Sequence, residues 1–264
     1  MPRKCGILCC LAALLLSLCG CGASSAQPLP QLIIGCDDYE PYHYTDADGD
    51  HAGMDVELAQ EACARMGYEP VFVEIDWDER DELLARGEID CLWTCYAMDG
   101  QEAQYAWVGP YMRSRQIVAV LKNSMIVSLS DLEGKRVAVR VGSKAESMFL
   151  DRTQANIPQV QTIYSLKETD EIATALRNDY VDAIAGYAST VREVLQNDGV
   201  EFRFLDEELS HALLGVAFAK DSDPALREQL AAALDEMRAD GTTKRILEGY
   251  GVETDKALGG FGDE

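Results

Sequence analysis

Past a short N-terminal apolar run, the hydrophobic positions fall into two alternating patterns. Continuous runs at Leu32 to Cys36, Pro70 to Ile75 and Ile89 to Trp93 read as short buried strands. Between them, Asp55 to Met66 and Glu79 to Arg86 carry apolar residues at helical spacing, with Asp55 placed to cap the first helix and Gly67 to end it. This is a βαβαβ unit, the pattern of a parallel sheet covered by helices. A strand at Ile117 to Leu121 follows, and then a second βα series. Its strands are expected at Arg136 to Val141, Val160 to Tyr164, Val181 to Ala185 and Glu201 to Leu205. Its helices fall at Ser143 to Asp151, Thr169 to Arg177 and Ala188 to Leu195. A last strand, Leu213 to Ala219, precedes helices at Pro224 to Ala239 and Thr242 to Gly249. No low-complexity linker separates the two series. The fold class that follows is α/β, with two lobes joined by plain extended strands and a chain that crosses between them twice.

A chain of 264 residues holds two modest lobes, each with its own core. A hydrophobic content of 47% with 26% charged residues argues against global disorder. The formal charge of −23 does more. It repels phosphate backbones and anionic lipid, so a nucleic-acid partner is excluded. Surface solubility is the simplest use of the acid excess.

The N-terminus reads as a targeting signal. Arg3 and Lys4 precede the apolar run Gly6 to Leu18, which is too short to span a bilayer. It leads into Leu18-Cys19-Gly20-Cys21, similar to a bacterial lipobox, in which a small residue precedes the acylated cysteine. Cys21 follows Gly20 and fits; Cys19 follows the bulky Leu18 and does not. Residues 1–20 are then a signal peptide and 21–31 a lipidated tether, anchored through acyl chains worth about 0.8 kcal/mol per buried CH₂. Of nine cysteines, Cys5, Cys9, Cys10 and Cys19 precede Cys21. Cys36, Cys63, Cys91 and Cys95 lack close metal-ligand spacing, so no metal and no cofactor is expected, and buried reduced thiols are preferred over disulfides.

Several segments, taken in order, carry a resemblance. The stretch Glu88 to Tyr111 runs from a strand into a loop that closes with an aromatic, two spacers and Pro-Tyr. To it are added Gly53-Met-Asp-Val-Glu-Leu58, the segment Leu132 to Ser143, and Glu236-Met-Arg-Ala-Asp-Gly-Thr242 followed by Tyr250-Gly251. The set resembles bacterial extracellular solute-binding proteins of the polar-amino-acid type (family 3), the capture subunits of ABC importers. The resemblance implies a two-lobed periplasmic-binding-protein-like (type II) fold with a two-strand hinge. Lobe 1 would take 32–111 and 212–252, lobe 2 would take 112–211, and 253–264 would form a tail.

Candidate ligand residues follow from the loops at the carboxyl ends of the strands, where open α/β sheets bind ligands. After the first strand, Asp37 matches a family acid, at a spacing one residue shorter, and Tyr39 stands where an aromatic lies over the ligand; Tyr42 is read as structural. Trp93, Thr94 and Tyr96 follow the third strand. Counting six residues back from Trp107, where the family carries an arginine, gives Gln101. Glutamine cannot reproduce a bidentate grip on a carboxylate. In lobe 2, Gly142-Ser143-Lys144 opens a helix whose N–H groups favour an anion. Arg140 is either a replacement anchor or a strand-end surface residue. Tyr187 stands where the family places the aspartate that grips an ammonium, and Asp182 is read as structural. With both charged grips exchanged, a standard free α-amino acid is not expected to bind well.

The resemblance implies a small-molecule ligand, permease and ATPase partners, and a monomer held at the outer face of the cytoplasmic membrane by lipid alone. Two alternatives stay open: a cyclohexadienyl-dehydratase-like enzyme on the same scaffold, and a sensory module without a transporter. The sequence offers the enzyme little, because it has only His43, His51 and His211, no G-x-S-x-G or H-E-x-x-H motif, and no evident carboxylate pair.

Overall fold

A computed structural model describes residues 28–151, 157–167 and 169–259. The signal segment and Cys21 lie outside the described residues. Strands β1 (Gln31–Cys36), β4 (Glu69–Glu74) and β5 (Cys91–Leu92) run parallel, with β1 central. Helix α1 (Met54–Met66) and helix α2 (Arg80–Arg86) make the crossovers, and a two-strand ribbon, β2 (Tyr44–Thr45) and β3 (His51–Ala52), precedes α1. The second parallel set is β7 (Arg136–Arg140), β8 (Thr162–Leu166) and β9 (Ala183–Tyr187), with α3 (Lys144–Asp151), α4 (Thr169–Arg177) and α5 (Ala188–Asn197).

Two long strands tie the sets together. β6 (Ala106–Leu121) and β10 (Phe202–Phe218) pair antiparallel along nearly their whole length. The end of β10 pairs with β5, and the end of β6 pairs with β9, giving one eight-stranded sheet in the order β4-β1-β5-β10-β6-β9-β7-β8. The fold is therefore α/β in two lobes, with a shared two-strand hinge. Each lobe has its own cores. Leu32, Ile34, Met54, Leu58, Trp93 and Phe218 pack together in the first, and Val118, Val120, Leu132, Val137, Val139 and Met148 in the second. Helices α6 (Pro224–Ala239), α7 (Thr242–Gly249) and α8 (Thr254–Ala257) finish the chain.

Three expectations change. The separate strands read at Ile117 to Leu121, Glu201 to Leu205 and Leu213 to Ala219 are portions of β6 and β10. Polar stretches interrupt the apolar signal there: Arg115 is buried among Glu208 and Glu253, at 3.1 and 3.2 Å, and the β10 register shifts at Glu208. The stretch expected as a tail begins with α8, whose Thr254 and Ala257 are buried. Asp55 does not cap α1. Gly53 is the N-cap at φ 122°, and a Cβ there would lie 2.3 Å from the Tyr42 carbonyl oxygen. The backbone packs so closely that Met54 and Asp55 donate their N–H groups to the carbonyls of Pro41 and Tyr42. The loop itself satisfies the helix start, which frees the Asp55 carboxyl for another task.

Candidate functional site

The loops after β1 and β5 and those after β7 and β9 face one another across a cleft of about 580 Å³. Asp37, Tyr39, Thr94, Tyr96 and Gln101 line it from the first lobe, and Arg140, Ser143 and Tyr187 from the second. Trp93 is the exception among the expected ligand contacts. Its ring is 1% exposed, turned into the first core 5.9 Å from Tyr111. Just beyond β5, Trp93 still donates its N–H to the Gly35 carbonyl at 3.2 Å and its side chain stays in the core, while Thr94, one residue on, lines the cleft.

The charged groups of the cleft sit on opposite walls. Asp37 accepts a hydrogen bond from the Thr94 hydroxyl at 2.9 Å. Partial burial pushes its carboxyl above the ordinary range, and the Thr94 bond and the Arg140 charge pull it back. The Asp37 loop is held from below by histidines. The His43 Nδ1 lies 3.0 Å from the Asp37 carbonyl oxygen, which can only accept, so Nδ1 carries the proton. Burial disfavours a charged imidazole, which leaves Nε2 as an acceptor facing His51 Nδ1 at 3.0 Å and Cys36 Sγ at 3.3 Å. From the other lobe, the Arg140 guanidinium lies 5.0 Å from the centre of the Tyr39 ring. Arg140 is thus a cleft residue that reaches the opposite lobe, stacked on an aromatic face. Lys144 adds a second cation on the same wall.

Behind the cleft, aromatic rings join the lobes. Tyr39 stacks on Tyr42 at 5.7 Å, and the Tyr187 ring meets both edge-on at 6.0 and 6.2 Å. Tyr42 is fully buried; its hydroxyl accepts from Ser189 at 2.8 Å and lies 3.1 Å from Ser114. Burial pushes the phenols of Tyr39, Tyr42 and Tyr187 upward, so all three stay neutral.

Two expected ligand groups turn out to be committed elsewhere. The Gln101 carbonyl oxygen accepts from the Tyr96 hydroxyl at 2.6 Å, and its amide nitrogen lies 3.4 Å from the Ala97 carbonyl. Gln101 shapes the loop and offers the cleft little. At the start of α3, Ser143 Oγ accepts from the Glu146 N–H at 3.2 Å, and the Glu146 carboxylate accepts from the Gly142 N–H at 2.6 Å. This reciprocal cap occupies N–H groups that were expected to favour an anion, and adds a negative charge beside them. Asp182 bonds Arg136 at 2.8 Å and is structural.

Sequence reasoning missed Trp77, Cys95 and Asp55. Trp77 lines the cleft and meets Tyr96 edge-on at 4.9 Å, and the Arg80 guanidinium lies over its ring at 5.4 Å. Its position just beyond β4, another strand carboxyl end, was the available signal. Cys95 also lines the cleft and, like Cys36, Cys63 and Cys91, is a buried free thiol. It has φ 45°, and its N–H donates to Asp55 Oδ2 at 2.7 Å; the Tyr111 hydroxyl donates to the same oxygen at 2.9 Å. Asp55, 1% exposed, therefore pins the Thr94–Tyr96 loop in a conformation that is unfavourable for a residue other than glycine.

Two facing lobes, a hinge of two strands, and a cleft with opposite charges on opposite walls define a protein that closes on a small polar solute. Comparison with known proteins places it more narrowly. The profile of the family "Bacterial extracellular solute-binding proteins, family 3" matches residues 32–253, and the chain belongs to that family. The "Histidine-binding periplasmic protein" of Salmonella typhimurium is 30% identical over 233 residues, spanning 84% of this chain and 88% of that one. The "ABC transporter arginine-binding protein 1" of Escherichia coli is 27% identical over 241 residues, spanning 89% and 95%. Among solved structures, an "Ancestral Cationic Amino Acid Solute Binding Protein" matches with a TM-score of 0.73 at 25% identity, spanning 83% of this chain and 95% of that one. These relatives are named as binding proteins, not as enzymes.

The buried Asp55 carboxyl yields a pH prediction. Burial raises it from an ordinary 3.8 to about 7, against the two donors that favour the charged form. Its contribution to stability is complete below the unfolded value and is lost as pH rises through the folded one. Melting temperatures of Asp55→Asn, which keeps an acceptor for both donors, are expected to fall less than those of the wild type between pH 4 and about 7. Parallel pH profiles for the two proteins would rule this role out.

Proposed function

We propose that the chain is the solute-capturing lipoprotein of an ABC importer, with an amino acid or amino-acid-like dipolar solute as its ligand. The observation that carries this reading is the placing of Asp37 on one lobe and Arg140 on the other, at one cleft of about 580 Å³. The ligand's cationic end goes to Asp37 and Thr94. Its carboxylate goes to Arg140, whose planar fork makes paired, charge-assisted hydrogen bonds. The ring of Tyr39 already orients the guanidinium. Both grips form together only when the lobes meet, so ligand stabilises the closed state differentially. This exchange of charges makes a zwitterion site, with Arg140 as the replacement anchor that the sequence left open. The histidine- and arginine-binding names of the relatives support an amino-acid ligand, and the transporter name supports permease and ATPase partners.

In this reading lobe 1 takes 32–111 and 212–252 and lobe 2 takes 112–211. The gain of β9 as a second neighbour of β6 from Gln116 onward supports a boundary in that region. No helix among the described residues is long and apolar enough to cross a membrane. Attachment then rests on acylation of Cys21, with the protein at the outer face of the cytoplasmic membrane and acting as a monomer.

Calorimetry with whichever of L-histidine, L-arginine or L-glutamine most raises the melting temperature should show Arg140→Ala binding at least about tenfold more weakly. Lys144→Ala should change affinity far less; unchanged affinity in Arg140→Ala would remove the central grip. For the anchor, Cys21→Ser is expected to move the protein from the membrane to the soluble fraction, and retention at the membrane would sink the lipoprotein assignment.

A further inference from the structure

Gln116 stands where β6 passes between the lobes. Its register partners are Ser210 on β10 and Tyr187 on β9. The residue is 2% exposed, yet neither its amide oxygen nor its amide nitrogen has a hydrogen-bond partner. Burial raises the Tyr187 phenol and a weak hydrogen-bonding contact with this amide draws it down, but the two groups fall short of full hydrogen-bond geometry. A buried carboxamide unpaired at both ends is costly, so its retention calls for a partner that arrives later.

The surroundings say what that partner is. The amide opens on a cavity of about 30 Å³ that continues the cleft and shares Tyr39, Arg140, Ser143 and Tyr187 with it. Ile172, Ile184, Val191 and Leu195, from α4, β9 and α5, make the deeper walls apolar. Tyr39 reaches in from the first lobe, so separating the lobes uncovers the pocket and closing them seals it. The cavity volume exceeds the ~10–15 Å³ that one water needs, enough for a small polar terminus. Apolar walls penalise any ion, and Arg140 at the mouth repels a cation. Gln116 itself has a free donor and a free acceptor, so a group offering both completes it, whereas a carboxylate or an ammonium leaves one end unpaired.

We propose that this pocket is a specificity subsite that takes the uncharged, hydrogen-bonding end of the solute's side chain, a carboxamide or a hydroxyl, against the Gln116 amide. The inference rests on the amino-acid reading of the cleft and selects within it, away from cationic side chains.

The test is calorimetric titration of the mature chain and its Gln116→Leu variant with L-glutamine, L-serine, L-methionine, L-arginine and L-histidine, plus melting of both proteins without ligand. Wild type is expected to bind L-glutamine or L-serine at least about tenfold more tightly than the other three. Gln116→Leu should lose about tenfold or more for that probe and approach the affinity for L-methionine. Its ligand-free melting temperature should not fall, because an unpaired polar group has left an apolar wall. Retained affinity in the variant would mean that the amide serves only a buried water. A fall in ligand-free stability would make Gln116 structural, and a wild-type preference for L-methionine, L-arginine or L-histidine would mean the pocket selects otherwise; each overturns the subsite while the cleft reading stands. Binding of none of the five would instead remove the amino-acid reading, and the subsite with it.

Discussion

The antiparallel pairing of β6 with β10 is the constraint on which the rest depends. Each lobe closes its own core, and each needs strands from this ribbon to complete its half of the sheet. Because the same two strands serve both, the carboxyl ends of the two parallel sets are brought to face each other. A ribbon can twist and bend while keeping its hydrogen bonds, whereas packed cores resist deformation. Lobe motion about β6 and β10 is therefore the soft mode of the fold, of the hinge type seen in domain closure around ligands.

What the hinge brings together is held in place by hydrogen-bonded polar groups. Asp55 fixes the Cys95 backbone, His43 fixes the Asp37 carbonyl, and Gln101 fixes Tyr96. None of these needs to touch a ligand to govern its fit. The cleft wall in the first lobe is thus preorganised, with little left to order on binding. On the second lobe, Ser143 is tied into the cap of α3 before a solute arrives, and Arg140 comes to rest on Tyr39 as the lobes meet. Closure then has only to bring two rigid surfaces together.

Much of this was legible in the sequence. Alternating strand and helix periods gave the two lobes, and loop motifs at strand ends gave residues that converge on a single cleft. Their failures have physical causes. Trp93 and Thr94 are neighbours just past the two-residue β5, where no strand pattern says which of them faces inward. The role of Asp55 depends on Tyr111 and Cys95, which lie far along the chain, so a local helix-start rule assigned it to the wrong partner. The unity of β6 and β10 was hidden because Arg115 is neutralised by Glu208 and Glu253 rather than by solvent. Gln116 carries no motif at all; only its missing hydrogen bonds mark it.

In the proposed function, solute closes the lobes about the β6–β10 ribbon through grips on both walls. Small-angle X-ray scattering of the mature protein, with and without a saturating amino acid that binds by calorimetry, tests it most directly. The radius of gyration should shrink on binding in the wild type and stay unchanged in Arg140→Ala at the same ligand concentration. A wild-type protein that binds its amino acid with no change in radius of gyration would contradict closure as the mechanism of capture.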